Sequence, residues 1–141
     1  MRDVSFPMHQ PSGRLIQLID ILDRLPDNRW VWVVREFWGV GVAPHDMSME
    51  QFEGLVRAEG RGYALSWPAL REFAAQLEQT HDCTIFSVDE TESSGGSATA
   101  GEERPIVEVR ALDSGTWVVS FEEGYFSAES FNGIVARLNF E

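Results

Sequence analysis

The stretch from Arg29 to Trp38, RWVWVVREFW, restricts the folds open to this chain more than any other. β-branched and aromatic residues dominate it, and from Trp30 to Val34 it is apolar at every position. In an extended strand Trp30, Trp32 and Val34 point one way and Val31 and Val33 the other. A strand that is apolar on both faces needs cover on both, so the expectation is a central strand of a sheet. Gly39-Val40-Gly41 is read as breaking that strand before Pro44.

The flanking sequence alternates helical and extended patterns. Ser12 precedes Leu15, Leu18, Ile19 and Leu22, an i, i+3, i+4, i+7 stripe widened by Ile16, and Pro26 ends that helix. Ser48-Met49-Glu50-Gln51 has capping-box form ahead of a second helix with Met49, Phe52, Leu55 and Val56 inward, and Gly60 and Gly62 supply its stop. Tyr63–Leu65 reads as a short strand. Ser66 then caps a helix with Pro68 in its first turn and Leu70, Phe73, Ala74 and Leu77 buried. A turn at Thr80–Asp82 leads into the strand Cys83–Val88.

Residues 89–104, DETESSGGSATAGEER, contain nothing to bury and read as a mobile acidic Gly/Ser loop. Pro105–Leu112 and Thr116–Phe121 form a hairpin closed by Asp113-Ser114-Gly115. Ser127 caps a last helix with Phe131, Ile134, Val135 and Leu138 inward; Gly133 weakens it by about 1 kcal/mol relative to alanine. The expected fold is therefore α+β, as a single domain over 1–141: a four- to five-stranded mixed or antiparallel sheet with three to four helices packed on it, ending in a β-hairpin followed by a helix.

Charge excludes several functions. The chain holds 23 acidic residues against 11 basic ones, a net −12, and every basic residue is arginine. Without lysine there is no Schiff base, no P-loop lysine and no lysine general base. So negative a field repels nucleic-acid backbones and anionic membranes and favours encounter with a basic partner. One cysteine forms no internal bridge, and no run reaches signal-peptide or membrane-span length, so the expected location is the cytoplasm.

Catalytic signatures are weak. His81-Asp82-Cys83 gathers residue types used in nucleophilic catalysis, yet consecutive strand residues face opposite ways, and a cysteine opening a buried strand is expected to act as a small apolar residue. His9, His45, His81 and the acids beside them show no metal-ligand spacing, so no metal and no cofactor is expected. Gly39-Val40-Gly41 lacks the rest of a dinucleotide fingerprint. The pairs Glu102-Glu103 and Glu122-Glu123 are sequence neighbours, not carboxylates converging across a cleft.

In size, charge and α+β make-up the whole chain resembles the small acidic immunity proteins and inhibitors with which bacteria neutralise toxins; no motif carries the likeness. The resemblance implies a binding protein, not an enzyme, that occludes the active surface of a basic effector. The candidate partner-binding residues are Asp20, Asp23 and Asp27 at the first helix, Glu50 and Glu53 on the second, Glu122 and Glu123 after the hairpin, and Trp38 and Trp67 as anchors near element ends. Two rival expectations are a small enzyme or ligand-binding domain with a pocket near His81-Asp82-Cys83, and a self-associating structural subunit. Monomer and homodimer both remain open.

Overall fold

The computed structural model describes residues 2–58, 62–89 and 105–140. Six strands form one open, wholly antiparallel sheet: β1 (Arg2–Pro7), β2 (Val31–Gly41), β3 (Tyr63–Leu65), β4 (Leu77–Val88), β5 (Val107–Leu112) and β6 (Thr116–Phe121), in the order β1-β6-β5-β4-β2-β3. Among the described residues four α-helices accompany it: α1 (Leu18–Leu22), α2 (Met49–Ala58), α3 (Trp67–Ala75) and α4 (Ala128–Arg137). The α+β class is as expected. Among the described residues no helix is long and apolar enough to cross a membrane.

The register places alternate residues of every strand on a common face. Pairing of Phe6 with Trp117, Trp117 with Ala111, Ala111 with Cys83 and Cys83 with Phe37 makes one row across five strands. That row belongs to the main core, together with Leu18, Ile21 and Leu22 of α1, Phe52 of α2, Phe73 of α3 and Phe131 of α4. The opposite face carries a small second cluster of Val33, Phe86 and Val88 with Val31 against it. The two apolar faces read from Arg29–Trp38 are thus both used. The strand lies inside the sheet, between β4 and the short edge strand β3, which pairs only with Trp32, Val33 and Val34.

Six strands form where four to five were expected, because Arg2–Pro7 adds an edge strand against β6. Its polar–apolar alternation, flanking charges and terminal proline are those of an edge strand, with only Val4 and Phe6 leaning on the core.

The first helix is shorter than its stripe suggests. It starts after Gln17, not Ser12, because Leu15 bridges to His9, the Ile16 N–H donates to the Met8 carbonyl at 2.8 Å, and the Ile16 carbonyl accepts the Trp117 indole N–H at 2.9 Å. A fully buried indole requires that acceptor, and the requirement outweighs helix periodicity.

The turn expected at Thr80–Asp82 is also replaced by strand. After Gln76 the chain passes straight from α3 into β4, and β2 continues to Gly41 beside it. A Cβ at Gly39 would lie 2.6 Å from the Gln79 carbonyl oxygen, and one at Gly41 2.6 Å from that of Gln76. These glycines bring two backbones together at register shifts instead of ending the strand.

The three serine caps are as read. Ser48 and Gln51 exchange backbone-to-side-chain bonds, Ser66 Oγ accepts from Ala69 N–H, and Ser127 Oγ accepts from Ser130 N–H. Gly60, Glu102, Glu103 and the expected loop from residue 90 onward lie outside the described residues.

Candidate functional site

Most of the acids read as partner-binding residues have partners within the chain. Asp20 accepts the Gln17 backbone N–H at 2.8 Å and lies 3.3 Å from the Arg14 guanidinium. Asp23 pairs with Arg71 at 2.6 Å, joining α1 to α3. Asp27 accepts the Trp67 indole N–H at 3.2 Å, Glu53 the Gly39 N–H at 3.3 Å, and Glu123 lies 3.5 Å from Arg2. Glu50 is exposed in the first turn of α2, and Glu122 is partly exposed just after β6. These residues sit at α1 and just after it, on α2, and in the segment after β6.

The two candidate anchors separate cleanly. Trp67 is buried, stacked 5.4 Å from Trp32, and belongs to the core. Trp38 is 58% exposed, whereas Trp32, Trp67 and Trp117 are buried and Trp30 is partly so. The exposure follows from the topology: beyond Val34, β3 no longer flanks β2. Phe37 turns to the core, and Glu36 and Trp38 turn to the opposite face of the sheet, paired with Thr84 and Asp82 of β4. Leu112, 43% exposed, lies one step beyond the Cys83–Ala111 pair on the Asp82 side.

A latched turn stands behind Trp38. Asp113 and Ser114 both have left-handed backbones, with φ of 51° and 58°, and the Gly115 N–H donates to the Leu112 carbonyl at 3.0 Å. The three-residue connection Asp113-Ser114-Gly115 thus contains a tight turn whose two left-handed central positions usually carry Asn-Gly or Gly-Gly; a non-glycine residue there costs of order 1 kcal/mol. Neighbouring groups hold it. Ser114 N–H donates to the His81 carbonyl at 2.9 Å, Asp113 N–H to Asp82 Oδ1 at 3.0 Å, and His9 Nε2 to the Ser114 carbonyl at 3.2 Å. His81 Nδ1 meets Ser114 Oγ at 2.7 Å, and its ring lies 4.7 Å from the Trp38 ring.

His9, Leu112, Asp113 and Ser114 were not legible as site residues. The one available signal was the absence of glycine or asparagine from the two central positions of so short a hairpin.

The histidine–serine contact places a hydroxyl and a base in reach of each other, without the third group that orients the base in a nucleophilic triad. Among the described residues no carboxylate bonds the other His81 ring nitrogen, and Asp82 Oδ1 is committed to the turn. His81, Asp82 and Cys83 do not converge: Asp82 faces out and Cys83 lies in the core. Burial pushes the Cys83 thiol up to about 12, opposed by a backbone hydrogen bond to Ala111 and reinforced by the charges of Asp82 and Glu36. Such a thiol is not a nucleophile at neutral pH.

No group of three or more His, Cys, Asp or Glu side chains able to hold a metal ion occurs among the described residues. His45 and Asp46, both left-handed, border a cleft of about 260 Å³ shared with Glu72 and Gln76 of the α3 region, below the ~300–1,000 Å³ usual for ligand pockets.

The chain matches no protein-family model, curated protein or solved structure.

Proposed function

We propose that this chain is an acidic binding protein of the toxin-immunity type, which captures a basic protein effector and occludes its active surface through the face carrying Trp38. The observation that carries the reading is the exposure of Trp38 between Glu36 and Asp82. Tryptophan is among the residues that contribute most at protein interfaces, and burying a large exposed indole is a substantial gain on association. The surrounding charge has its own role. The net −12 steers a basic partner toward the protein before contact, and pairing of Asp20, Asp23 and Glu123 with arginines confines part of the remaining field to other acids. Asp27, Glu50, Glu53 and Glu122 contribute to that field without an arginine partner among the described residues.

The test is affinity purification from the native cell with wild-type and Trp38→Ala proteins, followed by association kinetics on whatever co-purifies. One basic protein is expected in stoichiometric amount with the wild type and depleted with the variant. Its association rate is expected to fall steeply as salt rises above ~0.1 M, where the screening length drops to ~10 Å or less. Salt-insensitive association overturns the steering, and full retention by Trp38→Ala overturns the placement of the surface.

A further inference from the structure

We propose that the partner presents an arginine to this surface, its guanidinium lying on the Trp38 indole and paired with the carboxylates of Asp82 and Glu36. This rests on the binding reading above and names the group that the surface takes.

The chain uses the same arrangement internally. Arg71 places its guanidinium 5.5 Å from the centre of the Trp67 ring, one turn back on the same helix, and bonds Asp23 at the end of α1 at 2.6 Å, a tryptophan, a carboxylate and an arginine brought together from two elements. Arg2, Arg24 and Arg35 also lie over aromatic rings, those of Phe131, Phe140 and Phe86. Trp38 has the tryptophan and the carboxylates without the arginine.

Among the described residues the cations on the same face are Arg35, which lies over Phe86, and Arg110, whose Nε lies 3.3 Å from Glu108. Among the described residues neither Glu36 nor Asp82 has an ion-pair partner. Asp82 Oδ1 accepts the Asp113 N–H, which orients the carboxylate and leaves Oδ2 for a second donor. The His81 ring lies against the indole, and His81 is itself held by Ser114, so the indole is supported before any partner arrives.

Arginine fits this site better than lysine. Its planar, weakly hydrated guanidinium stacks on an indole while its edge N–H groups reach carboxylates beside the ring, whereas an ammonium is a hydrated point charge. Leu112, exposed next to Asp82, provides apolar surface for the arginine stem.

Oligo-arginine and oligo-lysine peptides of equal length serve as probes, titrated at about 20 mM salt so that charge alone binds both. The wild type is expected to bind oligo-arginine about tenfold more tightly than oligo-lysine. The Trp38 indole N–H resonance, identified by its loss in Trp38→Ala, is expected to shift with oligo-arginine. Trp38→Ala should abolish the preference. Asp82→Asn, which keeps the acceptor for Asp113, should reduce the preference, as should Glu36→Gln.

Equal binding of the two peptides by the wild type, or a preference that survives Trp38→Ala, overturns the arginine site while leaving electrostatic capture intact. Binding of neither peptide overturns both.

Discussion

Replacing Gly41 by alanine tests the junction on which the exposed end of β2 depends. The added Cβ would lie 2.6 Å from the Gln76 carbonyl oxygen, 2.7 Å from Leu77 Cα and 3.2 Å from the Glu78 nitrogen. All three atoms are backbone at the point where α3 becomes β4, so no side chain can swing away. Gly41 also has a φ of 149°, which side-chain-bearing residues rarely adopt. Strain of this kind costs about 1–3 kcal/mol. Relieving the contact means moving β2 away from Gln76, which gives up the Val42 N–H to Gln76 carbonyl bond of 3.2 Å and weakens the last ladder pairing, at about 1 kcal/mol each. The total is about 3–5 kcal/mol, a large part of the ~5–15 kcal/mol that holds a domain folded.

Equilibrium urea unfolding, followed by circular dichroism, reads this directly. With a slope near ~2 kcal/mol per molar urea, the midpoint should fall by about 2 M. Gly133→Ala is the internal control. It lies in α4, its Cβ would meet nothing within 4 Å, and it should stabilise by about 0.5–1 kcal/mol. The same chemical change is thus expected to have opposite signs at two sites. A Gly41→Ala midpoint within ~0.5 M of wild type would refute the close approach of β2 to the α3–β4 junction.

Other outcomes follow from the same structure. Trp117→Ala removes a fully buried indole and leaves the Ile16 carbonyl without its donor, so it should cost about 3–5 kcal/mol in urea unfolding; Trp38→Ala should change stability by no more than ~0.5 kcal/mol. Ser66→Ala and Ser127→Ala each delete a helix cap and should cost about 1 kcal/mol, with Ser→Asp at either site recovering most of it. Cys83 should resist thiol reagents at neutral pH until the protein is unfolded. Its folded-state value is raised from 9.0 to about 12, so its contribution to stability is fully present below about 9 and is lost as pH rises toward about 12. The stability gap between wild type and Cys83→Ala should therefore narrow across that window, and a constant gap would contradict burial of the thiol.

The surface around Trp38 has a structural logic independent of its partner. Asp82 and His81 hold a strained hairpin turn with Asp82 Oδ1, a backbone carbonyl and an imidazole nitrogen, while presenting a carboxylate edge and a ring toward Trp38. Residues that position the turn and residues that face outward are therefore partly the same. Asp82→Ala should weaken both stability and capture, whereas Asp82→Asn should separate them.

What the sequence determined alone is what a few neighbouring residues determine between themselves. Ser48 with Gln51, Ser66 with Ala69 and Ser127 with Ser130 are contacts three residues apart, and each forms as read. The two-faced alternation of Trp30–Val34 and the hairpin after residue 105 are equally local. The tertiary structure decided what depends on distant partners. Leu15 and Ile16 carry helix periodicity but are taken by His9, Met8 and Trp117. Gly39 and Gly41 look like breakers, and their meaning depends on the strand running beside them.

Trp38 and Trp67 both stand near element ends, and no local pattern distinguishes them. Trp67 meets Trp32 and Asp27, residues 35 and 40 positions away in the chain. Trp38 lies where β3 has already ended, so one flank of its strand carries no further pairing to that strand and the indole remains in solvent. Exposure is a property of neighbours, and the neighbours of a strand are assigned only when the sheet assembles.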